Sequence, residues 1–183
     1  MEKVKIELSK AYRLLYPMHV VLVSCVDKSG KANIITIAWA MPASINPPLA
    51  VVSIAPKRYS HSLIEETGEF VINIPTMDIL KETLFCGQVS GKTCDKFKET
   101  GLTASPAKIV KPPIIDECAA HLECKLHDKF TAGDHTLFVG EILEAYVNKE
   151  VFADGKYKPE KVKFIFQLGG YDFLTQGSKI FSV

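Results

Sequence analysis

Apolar residues along this chain fall mostly in short runs of strand length, set apart by Gly, Pro and Asp, and helical spacing is confined to a few brief stretches. Alternating runs mark strands with one covered face, and unbroken runs mark strands covered on both. His19 to Val26 reads as the first strand. Asp27-Lys28-Ser29-Gly30-Lys31 turns it back along Ala32 to Trp39, with Gly30 supplying the positive φ of a short bulged hairpin. Pro42, Pro47 and Pro48 interrupt the next segment, and Leu49 to Ala55 resumes as a continuous apolar run. Phe70 to Ile74 stops at Pro75. Ala119 to Lys129 and Thr136 to Val147 form a long hairpin around Thr131-Ala132-Gly133-Asp134. Lys163 to Leu168 is a last strand before Gly169-Gly170 and an irregular extension.

Helical signals are local. Ser9 to Leu15 predicts one or two turns capped by Ser9, and His61 to Thr67 a short helix capped by Ser60 and ended by Gly68. Met77, Leu80 and Leu84 give Thr76 to Phe85 an apolar side, Cys86 to Cys94 reads as a loop, and Asp95 to Thr100 as a helical turn. Many hairpin strands with few short helices predict a mainly β fold, a closed or partly closed antiparallel barrel, because closure removes exposed strand edges. A β-sandwich satisfies the same pattern. Nothing marks a linker or repeat, so residues 1–183 are read as a single domain, large enough to bury a substantial core.

Charge narrows the function classes. With Lys+Arg at 22 against Asp+Glu at 21, there is no excess positive charge to draw nucleic acid or an anionic membrane. The apolar runs are far shorter than the ~20 residues that span a bilayer, and Glu2, Lys3, Lys5 and Glu7 interrupt any signal-peptide core, so the expected compartment is the cytoplasm. Cys25, Cys86, Cys94, Cys118 and Cys124 are odd in number, which favours reduced thiols over a disulfide framework. Cys118, His121, Cys124 and His127 have a regular spacing that suggests metal. The alternation of Ala120, Leu122, Cys124 and Leu126 with His121, Glu123, Lys125 and His127 is that of a half-buried strand, however. Cysteines and histidines then face opposite sides, and a tetrahedral site needs convergent ligands.

Three segments carry candidate chemistry. In Asn33-Ile34-Ile35-Thr36-Ile37-Ala38-Trp39, one face of the strand holds a hydroxyl and a small side chain, against which a planar ring can lie; β-propensity alone also accounts for Thr36. Lys57-Arg58-Tyr59-Ser60-His61 places cations and a hydroxyl before a helix start, where backbone N–H groups and the helix dipole favour a phosphate; a solvated basic turn has the same composition. Gly133-Asp134-His135-Thr136-Leu137-Phe138-Val139-Gly140 sets His135 at a strand start. The chain has neither P-loop glycines nor a Gly-x-Gly-x-x-Gly dinucleotide fingerprint.

In order and setting, these segments resemble the flavin reductase-like proteins, which include flavoredoxins and ferric reductases, over most of the chain. Cys86-Gly87-Gln88-Val89-Ser90-Gly91-Lys92-Thr93-Cys94-Asp95-Lys96-Phe97 is similar to that family's Ser-Gly-x-x-x-Asp-Lys-Phe loop, and its glycines permit close approach to a ligand. The resemblance implies a split β-barrel of Greek-key type, a homodimer, and flavin mononucleotide (FMN) near the subunit interface. It implies FMN contacts from Asn33, Thr36, Ala38, Trp39, Ser53, Ala55, Lys57, Arg58, Ser60, His61, Ser90, Lys96 and Phe97. His135 would position a nicotinamide donor or tune the flavin, and Lys96 would help hold a phosphate or the reducing nucleotide. The implied activity is passage of reducing equivalents from NADH, NADPH or a redox protein partner through FMN to free flavin, ferric iron or a protein. A non-redox split barrel that binds a small ligand or serves as a structural dimer is the alternative, since a fold does not fix chemistry. Pyridoxamine phosphate oxidation would need basic residues for a second phosphate, and none are evident.

Overall fold

The computed structural model describes residues 1–181. A 3-10 helix at Leu8–Leu15 leads into β1 (Met18–His19) and β2 (Val21–Val26), and a turn with Gly30 at φ 87° returns the chain as β3 (Ala32–Ile37). β4 (Ala40–Ser44) and β5 (Leu49–Ile54) make the next hairpin, then come α1 (Tyr59–Thr67), ended by Gly68 at φ 69°, and β6 (Glu69–Ile74). A 3-10 turn at Met77–Ile79 runs into α2 (Leu80–Gln88), and α3 (Lys96–Thr100) comes next, before β7 (Ala104–Ser105) pairs with β8 (Ile114–Ile115). β9 (Ala120–Ala132) and β10 (His135–Val147) are the long hairpin, β11 (Phe152–Ala153) and β12 (Lys156–Tyr157) a small one, and β13 (Phe166–Gly169) and β14 (Asp172–Leu174) the last.

Seven antiparallel strands in the order β3-β2-β6-β9-β10-β5-β4 form the main sheet. Its two edge strands, β3 and β4, are consecutive in sequence and separated only by Ala38 and Trp39. The chain itself bridges the sheet's edges, and the sheet curls into a split β-barrel. The barrel is filled by one face of the strands, including Val21, Val23, Ile35, Ile37, Val52, Phe70, Ile72 and Phe138. The alternate residues Leu22 and Ile34 pack outside it with Ile79, Cys86, Leu102 and Ile115. Both faces of β2 are thus covered, and all six of its residues are buried, the physical reason its sequence does not alternate. Gly140 on β10 makes room for the core ring of Phe70, whose Cζ would lie 2.5 Å from any Cβ added there.

Residues 103–117 run as a strap across the outer face, held by polar residues of the strands beneath. Ser24 Oγ donates to the Pro113 carbonyl (2.5 Å), and Asn73 Oδ1 accepts from the Ile115 N–H (3.0 Å) and from His121 Nδ1 (2.8 Å). Glu123, fully buried, accepts from the N–H groups of Lys108, Ile109 and Val110 at 2.8, 2.6 and 3.1 Å and from the Tyr146 hydroxyl at 2.8 Å. The first part of the polar face of β9, at His121 and Glu123, is therefore covered by the strap, while Lys125 and His127 further along it are exposed. Among the described residues no three His, Cys, Asp or Glu side chains gather as metal ligands.

Several local expectations need correction. The first strand breaks at Val20, because β1 leaves the barrel to pair with β13 in a separate three-stranded sheet with β14. The N-terminal helix is 3-10 and begins at Leu8 with no side-chain cap, so Ser9 is not its cap. α1 begins at Tyr59, which puts Ser60 inside the first turn rather than at its cap. Cys86, Gly87 and Gln88 belong to α2, not to a loop. Pro42 lies within β4, where an edge strand tolerates the missing N–H. The C-terminal extension is not wholly irregular, since β14 pairs with β13; its residues 182–183 lie outside the described residues.

Candidate functional site

Where the barrel is split, a cleft of about 440 Å³ opens between β3 and the end of β5. Thr36, Ala38 and Trp39 line one side and Ser53, Ala55, Lys57 and Arg58 the other, with Asp134, His135, Gly87 and Gln167 closing it. Such a volume suits a small-molecule site. Two further cavities adjoin: a cradle of about 120 Å³ between α1 and the loop after α2, and a lobe of about 340 Å³ toward β13 and β14. Arg58 and Gly87 line all three.

The cradle has the chemistry of an anion site. Lys57, Arg58, Ser60, Ser90 and Lys96 line it, and no side chain caps the first turn of α1. The His61 N–H donates to the Arg58 carbonyl at 3.0 Å, which leaves the earlier N–H groups of the turn and the positive end of the dipole for an anion. Asn33 Nδ2 donates to Ser60 Oγ at 2.7 Å, while its Oδ1 is buried without a partner. A half-turn of that amide lets Ser60 donate to Oδ1 and turns the NH2 toward Gly91, at the edge of the cradle. Gly91 packs directly on this amide, leaving no room for a Cβ.

Lys96 serves the cradle differently from the expectation. Its ammonium donates to the Ile34 and Cys86 carbonyls, each at 2.6 Å, and ties α2 to β3. Burial lowers its pKa. Two of its three N–H bonds are thus committed to backbone, and its contribution to an anion is its charge and one remaining proton. Nearby, Thr36 Oγ1 donates to the Thr83 carbonyl at 2.5 Å, and a Cβ on Gly87 would lie 3.2 Å from Thr36 Cβ. The glycine brings helix and strand together and keeps the junction of the cavities open.

At the opposite end, His135 Nδ1 donates to Asp134 Oδ1 at 2.7 Å, and its ring lies 5.0 Å from Trp39 at a 37° tilt. That hydrogen bond is the main reason the Asp134 carboxyl is held below its ordinary pKa. Trp39 in turn meets Tyr12 edge-on at 5.6 Å, so the N-terminal segment braces the cleft wall. The buried thiols of Cys25 and Cys86 are both pushed up to about 11 by desolvation, and so stay protonated at neutral pH.

Two residues assigned to the cofactor line neither the cleft nor the cradle. The His61 side chain turns inward, with Nε2 at 2.8 Å from Thr136 Oγ1 and its ring edge-on to Phe138. Phe97 packs against the outer cluster around Leu22 and Ile34. The first misreading comes from starting the helix at His61 rather than Tyr59, which rotates the histidine onto the wrong face. Conversely Gly87, Gln88, Asp134 and Gln167 line the cavities and were not assigned to the cofactor, though Gly87 and Gln88 belong to the segment that carries the family resemblance. Asp134 carried a signal, as the residue before His135. Gln167 carried none, because it arrives only through the β1–β13 pairing.

A split barrel with a cleft at its seam and a cationic cradle beside it has room for a flat ring compound that carries an anionic group. The chain belongs to the flavin reductase like domain family, whose model matches residues 12–163. It is 41% identical over 169 residues to an uncharacterized protein of Archaeoglobus fulgidus, covering 91% of this chain and 93% of that one. It is 31% identical over 158 residues to a flavin reductase of Pseudomonas putida, with 85% and 82% covered. Flavoredoxin of Desulfovibrio vulgaris (Miyazaki F) superposes with a TM-score of 0.87 at 30% identity, covering 98% of this chain and 97% of that one. The family makes it a flavin-related oxidoreductase. Among the described residues no helix is long and apolar enough to cross a membrane.

Proposed function

We propose that this chain is an FMN-dependent oxidoreductase of flavin reductase or flavoredoxin type. As a homodimer, it would pass reducing equivalents from NADH, NADPH or a protein donor to free flavin, ferric iron or a protein acceptor. The observation that carries this reading is the junction of the ring-sized cleft with the cationic cradle at Arg58 and Gly87. FMN has the same two parts. When bound, FMN supplies the electron chemistry, and the protein supplies binding, orientation and electrostatics.

In this reading Arg58, Lys57, Ser60 and the first turn of α1 hold the phosphate. Thr36, Ala38, Ser53 and Ala55 form walls without bulk, on which a flat ring can rest. Trp39 and Asp134 fix the His135 ring, so that its Nε2 accepts or donates a proton at the cleft. With no dinucleotide fingerprint in the sequence, a nicotinamide would bind across the open face of the cleft. The dimer reading is supported by an apolar groove of about 320 Å³ lined by Met18, Trp39, Met41, Val51 and Leu137, next to His135. It includes the edge strand β4, where Met41 is 64% exposed.

Anaerobic titration of the purified protein with FMN, followed by NADH or NADPH, tests the reading. Bound flavin that bleaches with a nicotinamide supports a reductase, and bound flavin that bleaches only with dithionite supports a carrier fed by another protein. Arg58→Ala should weaken FMN binding by about 1.5–3 kcal/mol, the range for a hydrogen bond to a charged group, or roughly ten- to a hundredfold. Failure of the wild type to bind FMN would leave a non-redox ligand binder as the better description.

A further inference from the structure

The lobe of about 340 Å³ beside the cleft shares Thr36, Ala38, Arg58, Gly87 and Gln167 with it, and the walls that belong to the lobe alone are Val20, Leu84, Gly170, Tyr171 and Phe173. Val20, Leu84 and Phe173 are apolar, Tyr171 is aromatic, and the polar side chains are Gln88, Gln167 and the shared Arg58, along with Thr36. Among the described residues no carboxylate lines it. Gln167 Nε2 donates to the Gly170 carbonyl at 3.0 Å, which steadies the turn between β13 and β14. That turn runs through Gly169 at φ 141° and Gly170 at φ 55°, a backbone course open to glycine, and delivers Tyr171 to the lobe's mouth with 76% of its surface exposed. An exposed aromatic at the rim of a half-apolar pocket is a ready stacking surface.

From this geometry we infer that the lobe is a second ligand subsite, built by the C-terminal hairpin, for a planar aromatic ring bearing a carboxylate or carbonyl oxygen. The ring lies between Tyr171 and the apolar wall. The oxygen meets the free amide N–H groups of Gln88 and the guanidinium of Arg58. A cation finds no counter-charge there, and a saturated ring has less to gain from Tyr171. The lobe opens into the cleft through Thr36, Ala38, Gly87 and Gln167, so a compound held there lies beside whatever fills the cleft. The inference rests on the reading of the cleft as the FMN site.

The test uses the full-length protein loaded with FMN, with benzoate as probe and the flavin absorbance difference spectrum and calorimetry as readouts. Benzoate is expected to perturb the flavin spectrum saturably, and benzylamine to give no saturable signal. Tyr171→Ala should weaken benzoate at least fivefold with FMN affinity unchanged, whereas Tyr171→Phe should retain it, since stacking needs the ring and not the hydroxyl. Benzoate affinity unchanged in Tyr171→Ala, benzylamine binding as well as benzoate, or no benzoate binding to the FMN-loaded protein would each overturn the subsite. Loss of FMN binding in the wild type would overturn the reading beneath it instead, and flavin fluorescence reports that separately.

Discussion

Glu123→Gln is the most informative test of how the outer strap is held. The carboxylate is fully buried and accepts from three backbone N–H groups and one hydroxyl. A glutamine can keep at most one of the two oxygens. If the amide nitrogen replaces Oε2, it confronts both Ile109 and Val110. If it replaces Oε1, it confronts only Lys108, because the Tyr146 hydroxyl can turn and accept. The second arrangement is the cheaper, and it leaves one buried N–H unsatisfied, at a cost of about 1–3 kcal/mol. The two surviving bonds fall from the charged class, about 1.5–3 kcal/mol each, to the neutral class near 1 kcal/mol, so the total is about 3–5 kcal/mol. Urea unfolding at pH 7 should show the midpoint lowered by roughly 1.5–2.5 M for a slope near 2 kcal/mol/M. Burial alone would raise this carboxyl's pKa; the N–H donors and Tyr146 outweigh it and hold the pKa below the ordinary value. The stabilisation is therefore complete above about pH 4.3, the unfolded value, and is lost as pH falls through the folded one. The variant should lack that acid-side loss. A destabilisation under 1 kcal/mol with the acid limb unchanged would refute the clamp and leave the strap held by its apolar contacts.

Other consequences can be measured independently. Gly91→Ala forces the Asn33 amide off Ser60, and flavin fluorescence should show FMN binding weakened by about 1–3 kcal/mol, the cost of an unpaired buried polar group; equal affinity would mean that the loop yields freely. His19 packs against Phe164 and Phe166 with Nε2 buried and unpartnered, and desolvation lowers its pKa. The folded state favours neutral imidazole, so the stability His19 contributes is present above about pH 6.5 and declines as pH falls below it. His19→Leu should flatten thermal stability between pH 7 and pH 5, and an unaltered slope would assign that decline elsewhere. If the proposed homodimer forms through the exposed edge strand β4, Met41→Lys should shift the light-scattering mass from dimer toward monomer, whereas a mass unchanged by the substitution would place any interface away from β4.

The periodicity of the chain determined its strands because burial on one or both faces leaves a local record. The Gly30 turn, the β9–β10 hairpin and the Gly68 stop were legible for the same reason, each set by residues within a few positions. The basic turn at Lys57-Arg58 and the histidine after Gly133-Asp134 were legible as chemistry, and with the family resemblance they located much of the cleft and cradle. Only the tertiary structure decided which of these side chains face the same space. His61 and Ser60 are adjacent in sequence, yet the turn of α1 sends one inward to Thr136 and the other to Asn33. Glu123 sits on what reads as the polar face of a half-buried strand and is fully buried, because the strap laid over it starts from residues too distant to leave a periodic mark. Gln167 and Tyr171 reach the cavities from the far end of the chain through the β1–β13 pairing. Local sequence fixes the direction of a strand or turn. Which distant strand lies alongside depends on how the sheet closes, and here its closure at Ala38 and Trp39 opens the cleft.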